Sequence, residues 1–125
     1  MPLCEPSKHV GTLLADPWGG QKGECVSFVK VCTGDHRQTA LWGMGEQVKG
    51  NSNLVPGTAI ATFGPDGKYA GGHAAVYMGQ DQNGIQVMDQ WAERPGRTAH
   101  PVAPRTIRWD GETPSNNGSL FHVIN

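Results

Sequence analysis

The sequence predicts an α+β domain with one helix packed on an antiparallel sheet, and three observations predict it. A short apolar segment with helical spacing, Val26 to Val31, stands near the start of the chain. After Val55 the chain turns into strand-forming runs separated by turn residues. Helices first and strands afterwards belong to α+β architecture, with strands joined as neighbours in one sheet. A chain of 125 residues is one domain, 1–125, with a single modest core. With 18 Gly and 9 Pro, much of it must be loop.

Residues 1–23 read as an irregular lead-in broken by Pro2, Pro6 and Pro17, with a short helix or turn between His9 and Ala15. The helix should run from about Glu24 to Cys32. It turns inward either Val26, Val29 and Cys32 or Phe28 and Val31, and Thr33-Gly34-Asp35 ends it. Thr39 to Val48 is a second helical candidate through Leu41, Trp42 and Val48, weakened by Gly43 and Gly45. Strands are expected at Thr58–Phe63, His73–Met78, Ile85–Trp91, Arg105–Trp109 and Ser119–Ile124. Gly79 to Gly84, which contains Asn-Gly, should be the connection of a hairpin.

Composition removes several functions. The formal net charge is −1 and the basic residues are scattered, so a nucleic-acid binder is excluded. No apolar run approaches the roughly 18 residues that span a bilayer, so no membrane insertion is expected. Met1-Pro2-Leu3-Cys4-Glu5-Pro6 lacks the regions of a signal peptide. The protein is therefore expected to be made in the cytoplasm, with any export by a route that reads no such signal.

Three cysteines leave at least one unpaired. Cys25 and Cys32 would stand about 10 Å apart along a helix, too far for a bond. Two readings stay open for the others. Cys4 and Cys32 form a disulfide that spares Cys25, or Cys4 is a loose-end thiol and Cys32 a buried small hydrophobe.

Cys25 carries the chemistry. It sits where a glycine-broken loop meets the helix, and a helix N-terminus favours a thiolate. His73 opens a strand after Gly71-Gly72, which leaves space beside its ring; His9, His36, His100 and His122 look like surface residues. Cys25 as nucleophile and His73 as general base and acid need a third group to orient the imidazole. If Gly79 lies opposite Asn83, Asp89 falls opposite His73; if Gly79 lies opposite Gly84, Gln90 does. Asp89 is preferred, because a carboxylate also stabilises the imidazolium. The backbone N–H of Cys25 is one oxyanion donor, and Gln21 or a glycine N–H from 19–23 would be another. Gly72, Gln90 and Trp91 are the remaining candidates for contact with substrate. A zinc site fits poorly, because no short-spaced ligand pair exists, and no cofactor is expected.

Trp18-Gly19-Gly20 followed by Glu24-Cys25-Val26-Ser27-Phe28-Val29 resembles the nucleophile motif of the NlpC/P60 and CHAP cysteine peptidases. Pro56–Phe63 resembles their next core strand, Gly72–Tyr77 their histidine strand, and Val87–Trp91 the strand with the third polar residue. Within that superfamily the chain looks most like the small amidase effectors of type VI secretion. The resemblance implies a papain-like fold and hydrolysis of amide bonds in peptidoglycan stem peptides or cross-links. It also implies delivery into a rival's periplasm and a cognate immunity protein. Glu24 stands where the motif usually has Asp, Val26-Ser27 where it has Ser-Gly, and the tyrosine often found upstream is absent. The alternatives are a thiol enzyme acting on another acyl group and a non-catalytic binding module.

Overall fold

The computed structural model describes residues 1–19 and 23–125. One α-helix, α1 (Cys25–Thr33), precedes six strands: β1 (Met44–Gln47), β2 (Thr58–Thr62), β3 (Ala74–Gln80), β4 (Gly84–Trp91), β5 (His100–Arg108) and β6 (Phe121–Ile124). They form one antiparallel sheet in the order β1-β6-β2-β3-β4-β5. The α+β expectation holds. No helix among the described residues is long and apolar enough to cross a membrane.

Period-two alternation sorts the central strands onto two dry faces. Ala59, Ala61, Ala74, Val76 and Met88 join Phe28, Val29 and Trp42 on one face, which α1 covers. Ile60, Ala75, Tyr77, Ile85, Val87 and Ile107 join Val48 and Phe121 on the other. Alanines on the covered face leave the helix room to lie close to the strands. The helix ends at Gly34, whose φ of 75° suits a residue without Cβ and whose N–H reaches the carbonyls of Lys30 and Val31.

Cys4 and Cys32 are joined in a disulfide, which decides between the two readings of these cysteines. The bond ties the lead-in to the last turn of α1, and Cys4 N–H also donates to Gly57 O at 2.9 Å. Buried Lys30 donates to Asp16 at 2.7 Å and holds the same lead-in against the helix.

Two element assignments need correction. Thr39–Val48 is not a helix: a 3-10 turn at Thr39–Leu41 leads into β1. Gly45 lies so close to β6 that a Cβ would come within 2.7 Å of Val123 O, so pairing with β6 overrides the weak helical pattern. Strand β5 begins at His100, five residues earlier than expected, because an edge strand accommodates Pro101 and Pro104. Of the short helix or turn read between His9 and Ala15, the turn forms, confined to His9–Thr12 by the bond from Thr12 N–H to His9 O at 3.1 Å, and the helical turn lies earlier, at Pro6–His9.

Candidate active site

Cys25 is the first residue of α1, preceded by Glu24 in an extended conformation. Its sulfur therefore lies among N–H groups that have no partner within the helix. Gln90 donates to Glu24 O at 2.8 Å and to Leu14 O at 3.0 Å, and accepts from Leu14 N–H at 2.8 Å. With its amide used on backbone, this buried side chain braces the entry to the helix. It lies on the sheet face opposite Asp89 and does not reach the cleft, contrary to its place among the substrate-contact candidates. Gln21 lies outside the described residues.

His73 stands directly before β3. Thr62 grips it on the backbone: His73 N–H donates to Thr62 Oγ1 at 3.1 Å, and Thr62 N–H to His73 O at 3.0 Å. Gly72 is required there, because a Cβ would collide with the same threonine hydroxyl. The His73 ring meets the face of Phe121 edge-on, with centroids 6.3 Å apart.

Asp89 is wholly buried on β4 and receives His73 Nε2 at 2.8 Å. Neither expected register produces this contact. Gly79 pairs with Gln86 and Gln80 with Ile85, and one extra residue, Met78, bulges from β3. The turn is pulled tight at Asp81, whose carboxylate accepts from the N–H groups of Asn83 and Gly84. Continuing from the Val76–Met88 pair puts Trp91 opposite His73 and Asp89 two residues away on the same face. The imidazole reaches Asp89 diagonally through Nε2, and the ring also hydrogen-bonds the Cys25 thiol.

Two further basic side chains, Arg105 and His100, surround Asp89. Arg105 donates Nε at 3.0 Å and Nη2 at 2.7 Å to Oδ2, and its Nη1 reaches Asn116 at 3.1 Å. His100 Nε2 lies 3.0 Å from Oδ1 but off the hydrogen-bonding direction, so both buried atoms are without a hydrogen-bond partner among the described residues. The His100 ring stacks on Trp91 with centroids 4.1 Å apart, so His100 is not the free surface residue expected. Sequence reading missed both partners of Asp89 because it started β5 after Pro104. A strand begun at His100 pairs it with Trp91 and places Arg105 beside Val87. It also missed Tyr69, whose hydroxyl lies 3.8 Å from Cys25 Sγ.

These contacts set the charges. Burial alone would raise the Cys25 thiol, but the hydrogen bond and charge of His73, the backbone of Ala74 and the Tyr69 hydroxyl outweigh it and lower the pKa. Burial would lower His73, yet hydrogen bonds to Asp89 and Cys25 and their negative charges push it up to about 9. Burial would raise Asp89, but His73 and Arg105 hold it below the usual carboxylate value. These shifts all favour a thiolate–imidazolium pair resting on a buried carboxylate. It opens on a cleft of about 390 Å³ that Cys25, Gly72, His73, Trp91 and Arg105 help to line. Among the described residues no group of three or more His, Cys, Asp or Glu is placed to hold a metal.

The model of one protein family, described as Domesticated amidase effector 2, matches residues 1–124. The chain belongs to this family. It is 43% identical to the Domesticated amidase effector 2 of Ixodes scapularis over 112 residues, 85% of this chain and 73% of that one. It is 41% identical to a Type VI secretion amidase effector 2 protein of Salmonella typhi over 119 residues, 84% of this chain and 86% of that one. Among solved structures, a Type 6 secretion amidase effector 2 superposes with a TM-score of 0.72 at 32% identity, covering 91% of this chain and 87% of that one. The resemblance to type VI amidase effectors seen in the sequence is therefore correct, and this family member is related to amidases by both sequence and fold.

Proposed function

We propose that this chain is a cysteine amidase of peptidoglycan, built on a papain-like scaffold, with Cys25 as nucleophile, His73 as general acid and base, and Asp89 as orienting carboxylate. The observation that carries the reading is the relay itself. A thiol at a helix start and an imidazole line one cleft, and the imidazole is backed by a buried carboxylate.

The Cys25 thiolate attacks the amide carbonyl, and the oxyanion forms beside the N–H groups at the start of α1. Imidazolium His73 gives its proton to the departing amine. A water molecule then loses a proton to His73 and cleaves the thioester, restoring the thiol. Asp89, held ionised by Arg105, fixes the ring beside the sulfur throughout. Secretion by a type VI route, action on a target cell's wall and a cognate immunity protein complete the proposal. Of these, the secretion route has the support of the type VI effectors among the relatives.

Purified sacculi incubated with the protein and with Cys25→Ala test the proposal. Stem-peptide fragments should appear by mass spectrometry with the wild type alone, and their masses identify the bond. Intact sacculi in both would move the site to another acyl substrate. Equal cleavage by Cys25→Ala would remove the thiol mechanism.

A further inference from the structure

Three guanidinium groups line the cleft, and only two of them have a carboxylate. Arg105 is paired with Asp89, and Arg94 is paired with Glu24, the residue before the nucleophile. Arg97 has no carboxylate within ion-pair distance among the described residues, although it lines the same cleft.

Arg97 is also held in place. Arg94 and Arg97 exchange backbone hydrogen bonds of 3.0 and 2.8 Å across a two-residue turn, Pro95-Gly96, in which Gly96 has φ 78°. Pro then Gly with positive φ is the signature of a rigid type II turn. Opposed residues of an antiparallel pair share a face, so both arginines project to the same side. Arg97 Nη2 donates to Ala92 O at 2.9 Å, and its guanidinium lies 5.8 Å from the centre of the Trp91 ring. One N–H is thus spent on backbone, and the rest of the fork remains for a ligand beside the nucleophile.

We propose that Arg97 is the carboxylate-binding residue of this cleft and selects stem peptides that carry a free carboxylate close to the scissile amide. The substrate class rests on the amidase reading above; the anion site rests on the geometry. Branched stem-peptide units such as γ-linked glutamate and diaminopimelate leave carboxylates beside backbone amides. A planar fork fixed over an aromatic face suits a carboxylate better than a mobile ammonium does.

The test uses a matched pair of stem peptides, one with free carboxylates and one with those groups amidated. Wild type should favour the free acid, and Arg97→Gln should raise KM for it about tenfold, bringing the preference between the two peptides close to unity. Arg97→Lys should restore part of the preference. Cys25, the free cysteine, gives a second readout that needs no substrate. Anionic iodoacetate and neutral iodoacetamide alkylate it in a ratio that should fall several-fold in Arg97→Gln at low salt and stay near the wild-type value in Arg97→Lys. Both ratios unchanged in Arg97→Gln would overturn the assignment. So would equal losses on the two peptides. If wild type cuts neither peptide, the amidase reading has failed, and the alkylation ratio alone decides whether Arg97 binds an anion.

Discussion

Asp16 and Asp89, two of the buried carboxylates near α1, sit in different surroundings. Asp16 takes Lys30 Nζ at 2.7 Å and Trp18 N–H at 2.7 Å, with side-chain exposures of 2% for Asp16 and 6% for Lys30. The Lys30 ammonium faces this carboxylate, and the contact closes the lead-in over the helix. Asp89 has no exposure at all, yet it meets His73, Arg105 and His100 together. Three basic side chains converge on it, and two of them, His73 and Arg105, line an open cleft. A dry ion pair away from the cleft holds structure. A buried carboxylate shared by several basic side chains beside a cleft marks a candidate site.

The comparison can be broken from either side. Asp89→Asn keeps the shape of the side chain but removes the charge that holds the imidazolium. Turnover should fall on the order of 10³-fold with the fold retained, read by steady-state rates and circular dichroism. A drop below tenfold would make Asp89 a structural residue like Asp16. Lys30→Met leaves Asp16 buried without its ammonium and should cost about 3–5 kcal/mol of stability in denaturant melts. Turnover per folded molecule at low temperature should stay within about twofold, because this pair touches no reacting atom. A large loss of turnover in folded Lys30→Met would show that the two sites are not separable.

The pH profile sharpens the same contrast. His73 is raised from 6.5 to about 9, so its charged interactions contribute stability fully below pH 6.5 and lose that contribution as pH rises through about 9. The alkaline limb of kcat/KM should therefore lie near pH 9, as a property of the Cys25–His73 pair. In Asp89→Asn it should move toward neutral pH, and in Lys30→Met it should stay in place. The smallest effect is expected from Tyr69→Phe. Losing the hydroxyl 3.8 Å from the sulfur should raise the thiol pKa and slow iodoacetamide alkylation at pH 6 about threefold, a modest value for one long hydrogen bond. An unchanged alkylation rate would remove Tyr69 from the site.

Local signals carried the helix and the placing of Cys25 and His73. The apolar period around Phe28 and Val29 and the glycines before each residue act within a few positions. Asp89 was chosen for its chemistry, and the geometry expected for it was wrong in detail. A one-residue bulge at Met78 and a turn pulled tight by Asp81 are tertiary choices that alternation does not report. Arg105 and His100 were hidden because Pro101 and Pro104 read as strand breakers unless the strand is known to be an edge. The misread Thr39–Val48 segment fails for a related reason. Gly45 has no pattern of its own and takes its conformation from β6, which arrives from the far end of the sequence.

That late arrival bears on the order in which the molecule becomes active. β6 is made after the other five strands, yet it sits inside the sheet between β1 and β2, and its Phe121 meets the ring of His73 edge-on. A ribosome that has just finished β5 has already produced Cys25, His73, Asp89 and all three cleft arginines. It has not produced the strand that joins β1 to β2 or the surface on which the imidazole rests. Arrested nascent chains ending before Phe121 should then carry a slow, ordinary Cys25 thiol, and chains extended beyond Ile124 a fast one. A fast thiol in the shorter chains would show that the β3–β5 half assembles the site without its final strand.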